Sequence, residues 1–138
     1  MNDRHGQSSE RLKILLVDDE EAFLNTMVKR LGKRNLDVTA AKDGRQAVNK
    51  VSAESFDVVV LDMAMPGMTG IETLKEIKRI TPSTEVIILT GHAEVEAAVQ
   101  GMELGAFDYL LKPADIDELL YKIQDASVRR QCRNRVEE

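Results

Sequence analysis

The chain has 138 residues, 43% hydrophobic and 31% charged, a balance that fits one globular domain and excludes disorder along its whole length. Its 24 acidic and 19 basic residues leave a net charge of −5, which argues against a general nucleic-acid binder. The longest aliphatic runs, such as Ile14 to Val17, hold four residues, against the roughly 20 that a membrane helix needs.

Residues 1–10 are polar, lack the apolar stretch of a secretory signal and read as a flexible leader. A short aliphatic strand follows at Leu12–Val17. Phe23, Leu24, Met27, Val28 and Leu31 then recur at steps of three and four, the stripe of an amphipathic helix, with Gly32 placed to cap its C-terminus. Leu36–Ala40 is a more polar strand suited to a sheet edge. Asp43-Gly44 reads as a turn into a weaker helix over about 45–53. The strand at Asp57–Leu61 is followed by Pro66-Gly67 and Gly70, which punctuate a loop. A narrow stripe of Ile71, Leu74 and Ile77 ends before Pro82. The last two units are a strand at Glu85–Leu89 with a helical stripe at Val95, Ala98, Val99 and Met102, and a strand at Phe107–Leu111 with a stripe at Ile116, Leu119, Leu120 and Ile123. Gly105 separates them. Strict strand–helix alternation predicts an α/β fold, a parallel five-stranded sheet with helices on both faces. The strands at 14–17, 58–61 and 86–89 are apolar without alternation, as strands buried on both faces are. The domain is expected over 11–127, with 128–138 as a helix end or linker. Arg129, Arg130, Arg133 and Arg135 make that tail basic, which suits the C-terminus of a helix better than a nucleic-acid contact.

The chemistry gathers where the buried strands end. The first ends in Asp18-Asp19, the third in Asp62, the fourth in Thr90-Gly91 and the fifth in Lys112-Pro113. Ligands of open parallel sheets bind outside the carboxyl ends of the strands. Taken singly, Asp62 reads as well as a capping carboxylate, Thr90 as a strand end and Lys112 as a solvated charge. Placed together on one sheet edge they form a site. Three carboxylates repel one another, and one lysine does not neutralise them. A hard cation does: Mg²⁺, with Mn²⁺ as its substitute, takes carboxylate oxygens and bridges them to phosphate. A carboxylate in such a setting is also a nucleophile able to form an aspartyl-phosphate, with Lys112 and Thr90 available to the phosphoryl oxygens. The single cysteine, Cys132, excludes an internal disulfide framework and a multi-cysteine metal site, and makes a reducing cytoplasm the expected address. His92 has no partner at ligand spacing, and Met63, Met65 and Met68 are expected to pack around a loop.

These residues carry a resemblance. Leu16-Val17-Asp18-Asp19-Glu20, then Val59-Val60-Leu61-Asp62 with Met65-Pro66 and Gly70, then Ile88-Leu89-Thr90-Gly91, then Gly105 to Pro113 occur in an order and spacing similar to the receiver domain of two-component response regulators. The later segments most resemble receivers attached to ATPase-type transcriptional activators. The resemblance covers roughly 11–127. It implies a flavodoxin-like three-layer sandwich of strand order 2-1-3-4-5, with Asp62 as phosphoacceptor. Asp19, Asp62 and the Ala64 carbonyl would bind Mg²⁺ directly, and Asp18 would do so through water. Lys112 would bind the phosphoryl group, Thr90 and Tyr109 would act as the switch pair, and the Lys112–Pro113 bond would be cis. The donor would be a sensor histidine kinase or a histidine phosphotransfer protein. Such a domain is not a conventional enzyme, since it catalyses only its own phosphorylation and autodephosphorylation. The fourth helix (about 94–104), the fifth strand and the fifth helix (about 115–128) would form the output face, with phosphorylation-dependent homodimerisation through it, no membrane contact and no direct nucleic-acid binding. Two other classes remain open: a phosphate-independent interaction module on the same fold, and a phosphohydrolase of the haloacid dehalogenase type. The latter expects Asp-x-Asp, whereas Asp62 is followed two residues on by Ala64 and Asp18 by Glu20.

Overall fold

A computed structural model describes residues 11–65 and 67–137, with side chains as far as residue 133 on the last helix; the expected leader at 1–10, and Pro66, lie outside the described residues. Five parallel strands, β1 (Lys13–Val17), β2 (Asp37–Ala41), β3 (Val58–Asp62), β4 (Glu85–Thr90) and β5 (Asp108–Leu111), lie in the order β2-β1-β3-β4-β5. Between and after them run α1 (Glu21–Gly32), α2 (Gly44–Ala53), α3 (Gly70–Ile80), α4 (Val95–Glu103) and α5 (Ile116–Glu137), with a 3₁₀ turn at His92–Glu94 leading into α4. This is the α/β architecture and strand order expected from the sequence. No helix among the described residues is long and apolar enough to cross a membrane.

The missing alternation in the central strands has a direct cause. Leu15, Val17, Val59, Leu61, Val86 and Ile88 pack with residues of α2, α3 and α4 on one face. Ile14, Leu16, Val58, Val60, Ile87 and Leu89 pack with residues of α1 and α5 on the other. Every residue of β3 and β4 is buried, so each must be apolar unless it has a special partner.

Local chemistry sets the helix starts. The Asp43 carboxylate accepts from the Gln46 N–H at 2.8 Å at the head of α2. Thr69 and Glu72 form a reciprocal capping box at the head of α3. The end of α1 differs from expectation. Gly32 is the last helical residue rather than the cap, Lys33 stays right-handed, and the chain reverses at Asn35 with φ of 67°. Asparagine tolerates that conformation better than other side chains that carry a Cβ. The tail also extends further than the hydrophobic stripe indicated, because α5 stays helical through 128–137.

Gly70 has a packing role. A Cβ there would lie 2.7 Å from the Met63 backbone Cα and 2.7 Å from its sulfur, and backbone cannot yield as a side-chain tip does. Gly32 by contrast has nothing within 4 Å of the same position among the described residues. Gly70→Ala is therefore expected to lower the unfolding free energy by about 1–3 kcal/mol, the usual cost of overpacking. Gly32→Ala is expected to be neutral or to stabilise by up to about 1 kcal/mol. Urea denaturation of both variants beside wild type checks the pair.

Candidate functional site

Backbone pairing carried one residue past the strands builds the site. Val17 pairs with Leu61, so Asp18 and Asp62 follow as neighbours. The Asp18 N–H bonds the Ala41 carbonyl, and the Lys112 N–H bonds the Thr90 carbonyl at 2.9 Å. The residues two positions before Asp18, Asp62 and Lys112, namely Leu16, Val60 and Leu110, all lie in the cluster that faces α1 and α5. Side chains alternate along a strand, so all three polar groups emerge on the same side of the sheet.

Lys112 joins the carboxylates. Its Nζ donates to Asp18 Oδ2 at 3.0 Å and lies 3.2 Å from Asp62 Oδ1. It also sits 5.4 Å from the centroid of the Phe23 ring, a cation–π contact that helps aim the ammonium. Asp18 is fully buried and Asp62 is 2% exposed, while Asp19 is exposed. The free oxygen of Asp18 accepts from the Glu20 N–H at 2.9 Å, and Asp62 accepts from the Ala64 N–H at 3.3 Å. Carboxylate oxygens of Asp18, Asp19 and Asp62 lie within 4.8 Å of one another.

The electrostatics are strained in one direction. Burial, and next the Asp18 carboxylate, push the Asp62 carboxyl up to about 6 from 3.8, against the opposing pull of Lys112 and the Ala64 N–H. Burial alone would lower Lys112. The Asp18 hydrogen bond and the charges of Asp62 and Asp18 outweigh it and hold the lysine above its ordinary value. Three clustered carboxylates against one ammonium leave net negative charge, which hard divalent cations with oxygen ligands neutralise. The donor set therefore fits Mg²⁺ or Mn²⁺, and Asp19 is the carboxylate open to solvent.

Thr90 and Tyr109 are placed differently. Thr90 is 1% exposed and its hydroxyl donates to the Gly91 carbonyl at 3.1 Å, turned to its own backbone rather than to Asp62. Tyr109 is 47% exposed. Between them lies a largely apolar cavity of about 90 Å³, walled also by Val95, Ala98, Val99 and Met102 of α4 and by Leu111. The Lys112–Pro113 peptide is cis. His92 and Cys132 are exposed, and Met63 and Met65 are buried in the core beneath the loop. Phe23 was legible only as part of the α1 stripe. Its contact with Lys112 arises from residues 89 positions apart, and nothing local in the sequence signals it.

The family model for the response regulator receiver domain matches residues 14–124. Among curated proteins, the transcriptional regulatory protein ZraR of Klebsiella oxytoca is 41% identical over 119 residues, covering 86% of this chain and 27% of that protein. The regulatory protein AtoC of Escherichia coli is 40% identical over 114 residues, covering 83% of this chain and 25% of that protein. The chain thus spans about a quarter of the length of the curated relatives it matches. A receiver domain protein from Clostridium thermocellum superposes with a TM-score of 0.82 at 37% identity, over 88% of this chain and 98% of that one. NtrX from Brucella abortus, in complex with ADP, superposes with a TM-score of 0.86 at 27% identity, over 92% of this chain and 29% of that one.

The raised Asp62 carboxyl has a consequence for stability. The folded state holds this proton more tightly than the unfolded chain does, so it binds more protons between pH 3.8 and about 6. Stability then falls as pH rises through that window. In chelator-containing buffer, Asp62→Asn is expected to be more stable than wild type. The gap should open between about pH 4 and about pH 7 to roughly 1–3 kcal/mol and stay level above. Urea titrations across that range measure it; a gap independent of pH would remove Asp62 as its source.

Proposed function

The chain belongs to the response regulator receiver domain family of two-component systems, and on that premise we propose that it is a phosphorylation switch with Asp62 as the phosphoacceptor. The observation that carries this reading is the convergence of Asp18, Asp19 and Asp62 on Lys112 at the carboxyl edge of the sheet. A sensor histidine kinase or histidine phosphotransfer protein supplies the phosphoryl group. An Asp62 carboxylate oxygen attacks phosphorus in line. The new bond is P–O, the broken bond is P–N, and the imidazole leaves with the electron pair. Lys112 attracts the phosphoryl oxygens, and the Ala64 N–H next to Asp62 adds a donor on the same side. Asp19, Asp62 and the Ala64 carbonyl are the ligands assigned to Mg²⁺ or Mn²⁺, with Asp18 acting through water. The bound ion supplies charge neutralisation for the incoming phosphoryl group. Water resets the switch by hydrolysing the acyl phosphate.

Thr90 turns from the Gly91 carbonyl toward the phosphoryl group, and Tyr109 moves from solvent into the cavity that lies between the two residues. That movement changes the surface of α4, β5 and α5, which carries Val95, Val99, Tyr109, Leu111 and Tyr121 exposed. Partner choice, including self-association, follows as a population shift. ZraR is a transcriptional regulatory protein by name and AtoC a regulatory protein, which supports an output in control of transcription.

Incubation with Mg²⁺ and acetyl phosphate should add one phosphoryl mass to the intact protein. The adduct should vanish in Asp62→Asn and with a chelator. Lys112→Ala should slow its appearance by about a hundredfold, the scale of losing one preorganised charge-stabilising group. If neither acetyl phosphate nor a phosphohistidine donor gives an adduct, and Mg²⁺ does not bind, the interaction-module reading takes its place.

A further inference from the structure

The opposite edge of the sheet holds a second concentration of charge that phosphoryl chemistry does not use. Glu85 opens β4 and is fully buried, and neither of its carboxylate oxygens has a hydrogen-bond partner among the described residues. An apolar residue would be the ordinary occupant of such a position. Three cations surround it instead. Arg133 Nη1 lies 3.2 Å and Arg129 Nε 3.5 Å from Oε2, while Lys78 Nζ lies 3.7 Å from Oε1. Lys78 comes from the end of α3 and also donates to the Thr84 carbonyl at 2.8 Å. Both arginines come from α5.

Neighbouring contacts reinforce the same junction. Arg130 Nη1 is 3.1 Å from Asp57 Oδ1, and the other Asp57 oxygen accepts the Lys13 N–H at 2.8 Å. The Arg129 guanidinium also lies 5.6 Å from the centroid of the Phe107 ring. Residues 129, 130 and 133 of one helix are thereby tied to the starts of β3, β4 and β5. The helix dipole does not explain this placement. Its pull on cations falls off within the last turn, and α5 continues to Glu137, a full turn beyond Arg133. Nor does dipole compensation call for a buried acid at the foot of the helix.

We propose that Glu85 and Lys78, with Arg129 and Arg133, form an ion-pair clamp that fixes the direction in which α5 leaves the sheet. The apolar anchors of α5 are Ile116, Leu119, Ile123 and Ala126. Beyond Ala126 and the buried Ser127, the side chains of α5 that reach the sheet include these charged ones, so the clamp sets the order of the helix where the hydrophobic grip ends. Residues 134–137 are then carried as a rigid extension of the domain rather than on a hinge.

Hydrogen exchange followed by mass spectrometry, resolved to peptides of α5, tests the clamp in the full chain. Glu85→Gln removes the charge and keeps the shape. Arg129→Gln with Arg133→Gln removes two of its partners from half-exposed positions and leaves Lys78 against the carboxylate, so it perturbs the clamp by a route independent of any cost of the buried amide in Glu85→Gln. Each is expected to speed exchange over residues 127–133 at least tenfold, while peptides from β1 and β3 keep the wild-type rate. Combining all three substitutions should speed it no more than the larger single effect, because they remove one interaction. Unchanged exchange over 127–133 in the arginine variant, or effects that simply multiply in the combination, would overturn the clamp.

Discussion

Lys112 stands between two buried carboxylates, and the rest of the molecule is arranged around keeping it there. Its ammonium reaches Asp18 at 3.0 Å and Asp62 at 3.2 Å. Without it the sheet edge would hold adjacent negative charges shielded from water, an arrangement that protein interiors do not tolerate. The parallel register brings the three strand ends level. The two-sided core makes that register unambiguous, since a slip of one residue would exchange the faces of every strand. The site is therefore a by-product of correct sheet packing, with residual negative charge left over for a cation to satisfy.

The distribution of function over the two faces follows from the same alternation. Asp18, Asp62 and Lys112 continue the residues that face α1 and α5. Thr90, one position past Leu89, falls on the opposite side with Tyr109 and the α4 wall. β4, a strand buried along its whole length, separates the strand that carries Asp62 from the strand that carries Tyr109. The same strand begins at Glu85. One six-residue segment thus borders the candidate switch hydroxyl at one end and the anchored end of α5 at the other.

Much of this was legible in the sequence, for identifiable reasons. Continuous apolar runs marked the buried strands, and polar residues at their ends marked the groups that the fold brings together in the candidate site, because both signals are local. Signals that depend on distant partners were not legible. Phe23 looked like any other residue of the α1 stripe until Lys112 was placed above it. Glu85 looked like the polar start of a strand, and only the return of α5 shows that it is buried among cations. The end of α1 was misplaced because glycine is the commoner cap, whereas here Asn35 takes the left-handed position. The exposed ring of Tyr109 cannot be read from its neighbours, since it depends on how α4 closes over β5.

The span of the Asp18–Lys112 contact, 94 positions along the chain, also bears on biosynthesis. Domains emerge from the ribosome amino-terminus first. Both carboxylates are made well before the ammonium that joins them, so until β5 is synthesised their counter-charge has to come from solution, as a proton or a cation. The protein's own counter-charge for this edge arrives only with the strand that completes the sheet.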